Sequence, residues 1–289
     1  GLSLDLSPEP QRLRVDLRVA PSEQGAAQLL FTQLRVGSRA PLLELPRSAR
    51  LGLLLRSDPQ TDEEPPGAAL SKLFGERLSQ AQSERLEHAL VAFAQSRRAA
   101  LALGLVATPA PALVIRCELA DPAKFAPSFS DVVGLVELPA VSKWLAATLG
   151  KPTLSRAKLP SGAQRAKLTF TRPLTAGGSL PKSLGLSWEA QGQVGVIVVS
   201  ADSGVDSASF AAAPTLASYG WLLPDEAAAS EQIALGLYLD ARLLAPGGPD
   251  DAPLWLSFGK QGDKLGLTLE LSAPALSALV GRFALDRSP

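Results

Sequence analysis

From Leu254 to Leu271 apolar and polar positions alternate with a period of two, break at a polar turn, and alternate again. Leu254, Leu256 and Phe258 precede the turn Gly259-Lys260-Gln261-Gly262-Asp263-Lys264, and Leu265, Leu267, Leu269 and Leu271 follow it. That spacing predicts a β-hairpin with one buried face. Pro274 then opens a helical pattern through Leu276, Leu279, Val280 and Phe283. The chain starts in the same way. Leu2, Leu4 and Leu6 lead into Ser7-Pro8-Glu9-Pro10, then Leu13, Val15, Leu17 and Val19, and a helical pattern from Gly25 through Leu29, Leu30 and Leu34.

Between these ends lie three short apolar runs centred on glycine: Leu51–Leu55 around Gly52, Val133–Glu137 around Gly134, and Leu235–Leu239 around Gly236. Each reads as a strand that leads into helical sequence and then a hairpin, an internal repetition. The first helical stretch carries Leu70, Leu73, Phe74 and Leu78; a capping box of Ser79 and Gln82 then restarts the helix with Leu86, Leu90 and Phe93 on one face. Further hairpins are expected over Leu101–Leu119, Ala157–Phe170 and Leu184–Val199, and a helix from Ala140 to Leu149 that ends at Gly150. Ser207–Leu223 is helix-like but broken by Pro214 and Gly220.

The expected fold is α+β, with repeated strand–helix–β-hairpin modules forming antiparallel sheets and helices covering one face. The chain reads as two halves, residues 1–130 and 131–289, able to pack as one continuous domain. Leu4, Leu6, Leu13, Val15 and Leu17, with Leu256, Phe258, Leu265, Leu267 and Leu269, are expected to face a helix-covered core. Residues 1–35 supply only the later part of a module. The edge at Leu2–Leu6 is therefore expected to be covered by an upstream segment, by another chain, or by the final module.

Composition narrows the function classes. Hydrophobic residues make up 46% of the 289 and charged residues 19%, a globular balance. The 28 basic and 28 acidic residues cancel, which disfavours nucleic acid and anionic lipid, both of which attract cationic surfaces. No apolar run reaches the roughly 20 residues of a transmembrane helix. Met is absent from the chain, and its first residues already read as a strand; both point to an excised or processed segment. Cys117, the single cysteine, lies in a strand pattern and is expected to be a buried thiol without a disulfide or zinc role. His88, the single histidine, falls among Glu84, Arg85 and Glu87 on the solvent side of its helix.

Candidate chemistry is sparse. Ser155-Arg156-Ala157-Lys158 and Ser179-Leu180-Pro181-Lys182 match S-x-x-K, which places a lysine one helical turn from a serine nucleophile. One falls in or beside a strand and the other contains proline after two glycines, so neither is expected to be catalytic. The acidic runs Asp62-Glu63-Glu64 and Asp202–Asp206 read as solvated loops rather than cation sites. No catalytic, cofactor or metal residues are assigned. Of the four tryptophans, Trp188 and Trp255 lie in alternating strands and are the candidates for lining an apolar ligand site.

In Val133–Leu145, Val194–Asp202 and Leu222–Leu244, together with its hairpins, the chain resembles uncharacterised exported or lipid-anchored proteins of high-GC bacteria, notably myxobacteria, a domain family of unknown function. The resemblance implies a periplasmic or outer-membrane-associated location and no known activity. The leading expectation is a non-enzymatic structural or interaction domain of the cell envelope with an envelope protein partner. A carrier that holds a lipid or other apolar ligand between sheet and helices is the alternative.

Overall fold

The computed structural model describes residues 2–8, 11–22, 25–57, 74, 77–107, 110–160, 162–172, 182–201, 204–211, 213–222, 232–243 and 252–285. Leu70, Leu73, the acidic run 62–64, Ser179 and Asp202 lie outside them. The described residues form twelve strands in an antiparallel arrangement and seven α-helices. The mixed α+β class and the antiparallel sheet therefore stand. Two compact units divide the chain: residues 1–56, 101–106 and 214–289 form the first, and residues 57–100 and 107–213 the second. The expected boundary at residue 130 falls inside a helix, Pro122–Gly134.

The first unit contains strands β1 (Leu2–Pro8), β2 (Arg12–Val19), β3 (Ala49–Arg56), β10 (Gln232–Asp240), β11 (Pro253–Gln261) and β12 (Lys264–Ser272). They are ordered β1-β2-β12-β11-β10-β3. Each end of the chain folds as the expected hairpin, with the reversal between β11 and β12 made by Gly262 at φ 65. The two hairpins meet through β2 and β12, pairing Val15 with Leu269 and Leu17 with Leu267. The final hairpin thus covers β2, and β1 stays an outer strand of the order. Helices α1 (Ala26–Gln33) and α2 (Ala40–Leu43) follow β2, and two short 3-10 turns, Leu216–Ser218 and Gly220–Leu222, precede β10.

The second unit places β5 (Ala112–Leu119), β9 (Val194–Ser200), β8 (Ser183–Gln191), β7 (Gln164–Thr169) and β6 (Thr153–Lys158) in that order. Strand β4 (Arg97–Val106) contributes residues 97–100 to this unit and 101–106 to the first. Helix α3 (Gln80–Ser96) begins at the expected capping box: Gln82 N–H donates to Ser79 Oγ at 3.4 Å, and Ser79 N–H donates to Gln82 Oε1 at 3.3 Å. It packs against α4 (Pro122–Gly134), which in turn lies on β7, β8 and β9. Phe93 of α3 and Phe125 and Phe129 of α4 form an aromatic core, with the Phe93 and Phe129 ring centroids 5.3 Å apart. Helix α5 (Pro139–Leu149) stops at Gly150, whose φ of 83 is the left-handed conformation that favours glycine. Helix α6 (Ala208–Ala211) is a single turn, and α7 (Ala273–Leu285) closes the first unit against β2, β11 and β12.

Two expectations are corrected. Val133–Glu137 is not a strand: it is the last turn of α4 followed by a 3-10 turn, Leu135–Glu137. Asp121 caps the start of α4 by accepting from the N–H groups of Ala123 and Lys124, and Pro122 sets the first helical turn. Phe125, Phe129 and Val132 then recur at helical spacing, so the five-residue segment took the helical answer. With that strand gone, the threefold module repeat goes too. The second correction concerns orientation. Leu4 and Leu6 are 61% and 63% exposed and Leu267 39%, while Leu13, Val15, Leu17, Leu256, Phe258 and Leu269 are only partly buried. Of the ten residues expected in a helix-covered core, Leu265 alone is buried.

Candidate interaction surface

Strand pairing aligns the alternating leucines of the first unit into rows. One row runs Leu4, Leu17, Leu267, Phe258, Leu235 and Leu55 across six strands; the next runs Leu6, Val15, Leu269, Leu256, Leu237 and Leu53. A third, on five strands, runs Leu13, Leu271, Leu254, Leu239 and Leu51. All of these side chains are aliphatic except Phe258, and none carries a hydrogen-bonding group. At one end of the face Lys260 lies over the Phe31 ring, 4.7 Å from its centroid, beside Leu29 and Leu30, which are exposed on α1.

The opposite side of the same strands is the more deeply buried one, although on the leucine side the two ends of β12, Leu265 and Leu271, are themselves buried. Toward β3 it is packed with large side chains that need glycine beside them. A Cβ on Gly236 would stand 2.2 Å from the Trp255 ring, and one on Gly52 would touch Tyr238, Leu42 and Leu45. The central glycines of β3 and β10 are therefore clearances for core side chains. Toward β1 this side is charged. Glu270, fully buried, lies 3.3 Å from Arg14 Nη1, 3.4 Å from Arg39 Nη1 and 3.7 Å from Arg12 Nη1. The Arg39 guanidinium also stacks 5.3 Å from the Trp255 ring centroid and donates to the Leu222 carbonyl at 3.1 Å. One residue pair along, Asp16 accepts from Thr268 Oγ1 at 2.6 Å and from Arg14 Nε at 2.7 Å.

Burial by itself would raise the Asp16 carboxyl, but hydrogen bonds from Arg14 and Thr268, the Arg14 charge and a hydrogen bond from Gln261 outweigh it and hold it below 3.8. A carboxylate lowered in this way stabilises the fold above its unfolded value, and that contribution is lost as pH falls through the folded one. The charged cluster is thus an acid-sensitive part of the first unit. Its residues sit at the alternate positions of β2 and β12, between the leucines. Sequence alternation separates the two sets without revealing that the charged set is the inner one.

Trp188 and Trp255 are filled core positions. Trp188 is 1% exposed, donates its indole N–H to the Ala126 carbonyl at 3.0 Å and meets the Phe129 ring edge-on at 5.4 Å. Trp255 is fully buried between Gly236 and Arg39. A depression lined in part by Ser257, Gly259, Gln261 and Thr268 is a water-sized recess open to solvent, far smaller than a small-molecule site.

His88 is exposed on α3. Ser155 and Lys158 lie three residues apart on β6, which puts them on opposite faces of the strand and separates the S-x-x-K pair. Asp206 pairs with Arg165 at 2.8 Å and accepts from the Ser209 N–H at 3.2 Å. Among the described residues no three His, Cys, Asp or Glu side chains are grouped as a metal site, and no helix is long and apolar enough to cross a membrane.

One charge feature runs against a neutral composition. Between Glu137 and Glu189 the chain carries lysines and arginines but no acidic residue. Arg156 and Lys158 are exposed on β6, the last strand in the second unit's order. Cationic side chains on an outer strand discourage addition of another strand.

Cys117 is 1% exposed, facing Gly195 and Phe125. Burial pushes its thiol up to about 11, against smaller lowering effects of the Arg97 charge and a backbone hydrogen bond from Gly195. The folded thiol holds its proton longer than an unfolded one, so its contribution is full below 9.0 and is lost as pH rises toward 11. Native protein at mildly alkaline pH is expected to resist alkylation by iodoacetamide, and protein in denaturant to react fully. Rapid labelling of the native state, followed by intact mass spectrometry, would contradict this placement.

The chain matches no protein-family model, no curated protein and no solved structure.

Proposed function

We propose that this chain is a non-enzymatic, exported interaction domain of the bacterial cell envelope, working through the leucine face of its first unit. The single observation behind this reading is the set of aliphatic rows, with Leu4, Leu6, Leu235 and Leu267 exposed on one sheet face. Exposed apolar patches of this extent mark contact surfaces, because leaving them in water costs free energy in proportion to area. The buried carboxylates Glu270 and Asp16 are engaged by arginines as structural partners, which supports a non-catalytic reading of the most charged cluster described. The resemblance of Val133–Leu145, Val194–Asp202 and Leu222–Leu244 to exported or lipid-anchored proteins of high-GC bacteria is what supports the envelope location.

A carrier of an apolar ligand is the second reading, moved from the space between sheet and helices to the leucine face. It is favoured by the lack of hydrogen-bonding groups in the leucine rows, which acyl chains do not need. Native mass spectrometry after mild purification separates the two. A protein-only assembly dissolved by Leu4→Glu with Leu267→Glu supports the interaction domain. A monomer with a stoichiometric lipid supports the carrier, and a bare monomer unchanged by the pair rejects both.

A further inference from the structure

We propose that the leucine face is the contact between two copies of this chain, packed sheet on sheet about a twofold axis. This deepens the interaction reading above and rests on it. Its first support is size. Six strands spaced about 4.8 Å apart span about 24 Å between the outer axes, and three rows two residues apart extend a further 14 Å or so along the strands. With side-chain width and relief included, a pair of such faces removes on the order of 1,000 Å² of surface, the lower bound for a specific interface.

The second support is chemical matching. The central rows offer no donor or acceptor, so whatever covers them must bring none that would be buried without a partner. An identical face meets that condition. A twofold contact apposes the same patch from both copies, and two sheet faces pack about 10 Å apart with their side chains interleaved. The chain's formal net charge of +0 puts no overall repulsion between the copies.

The third support is the contrast between outer strands. Strand β6 carries exposed Arg156 and Lys158, whereas β1 shows solvent Leu2 at 72%, Leu4 at 61% and Leu6 at 63%. Packing the β1 leucines against a partner face removes them from water. Leucines at that exposure on a monomer would favour aggregation.

The test is the mass of the full chain by light scattering after gel filtration, from low to high micromolar, with flotation on vesicles of phosphatidylcholine and phosphatidylglycerol. The expected species has twice the 30.1 kDa chain mass and stays out of the vesicle layer. Leu4→Glu with Leu267→Glu should halve the mass at an unchanged far-ultraviolet circular dichroism spectrum. Asp5→Lys, at the alternate position of β1, should leave the dimer intact. If the double variant loses its spectrum, Leu4→Glu alone, on the exposed outer strand, decides. A monomer that floats with vesicles overturns the dimer and leaves the apolar face as a lipid-contact surface. A dimer indifferent to the leucine changes overturns the dimer face. A monomer that neither associates nor floats removes both the dimer and the interaction reading.

Discussion

Glu270→Gln is expected to destabilise the first unit by about 3–5 kcal/mol, the usual cost of removing one partner from a buried ion cluster. Glu270 is fully buried on β12, with Arg14, Arg39 and Arg12 within 3.3 to 3.7 Å. Glutamine keeps the shape and removes the charge, so three guanidinium groups are left around a neutral amide. A substitution at the rim of the cluster should be milder. Arg18, whose side chain is 36% exposed, contacts Asp5 and Asp16 at 3.3 and 3.7 Å, and Arg18→Gln should cost no more than about 1 kcal/mol. Urea unfolding of the three proteins measures both costs. A Glu270→Gln midpoint indistinguishable from that of the parent would mean that the cluster is not a buried network.

Trp188→Ala is expected to cost about 3–5 kcal/mol, as for other large aromatic truncations in a packed core. The indole fills the space between β8 and α4, edge-on to Phe129 at 5.4 Å and hydrogen-bonded to the Ala126 carbonyl at 3.0 Å. Trp188→Phe keeps most of the packing and leaves that carbonyl without its donor, a loss of about 1–3 kcal/mol. The ordering of the two substitutions separates packing from ligand lining. A tryptophan on the wall of an open apolar site would tolerate alanine with a loss below about 1 kcal/mol, because little packing would be removed. Chemical denaturation followed by circular dichroism gives the ordering without relying on the fluorescence of the deleted residue. A small loss for Trp188→Ala would return the carrier reading to the space between sheet and helices.

Several elements were legible because local chemistry leaves little choice. The capping box of Ser79 and Gln82 starts α3, Gly150 ends α5, and the alternating runs on each side of Gly262 form the closing hairpin. Buried Cys117 and exposed His88 also follow from their places in the apolar pattern. Val133–Glu137 was not legible, since so short a segment with Val133, Leu135 and Val136 fits a strand or a helix turn equally well, and the cap at Asp121 lies well upstream.

Alternation by itself determined that the two sides of the first unit's strands differ, with leucine and valine on one and charged residues, tryptophan and glycine on the other. It also determined hairpin pairing and register, because a slip of one residue would mix the two sides. Which side turns inward was decided only by tertiary structure. In β2 and β12 the charged side is buried because residues distant in sequence neutralise one another there. Arg39 reaches Glu270 from the segment ahead of α2, and Asp16 meets Thr268 across adjacent strands. Gly236 then leaves room for the Trp255 ring beside Arg39. Hydrophobic periodicity places the leucines together, but the burial of this ion network is a sum over contacts far apart in the chain, and it leaves Leu4, Leu6, Leu235 and Leu267 on the outer side.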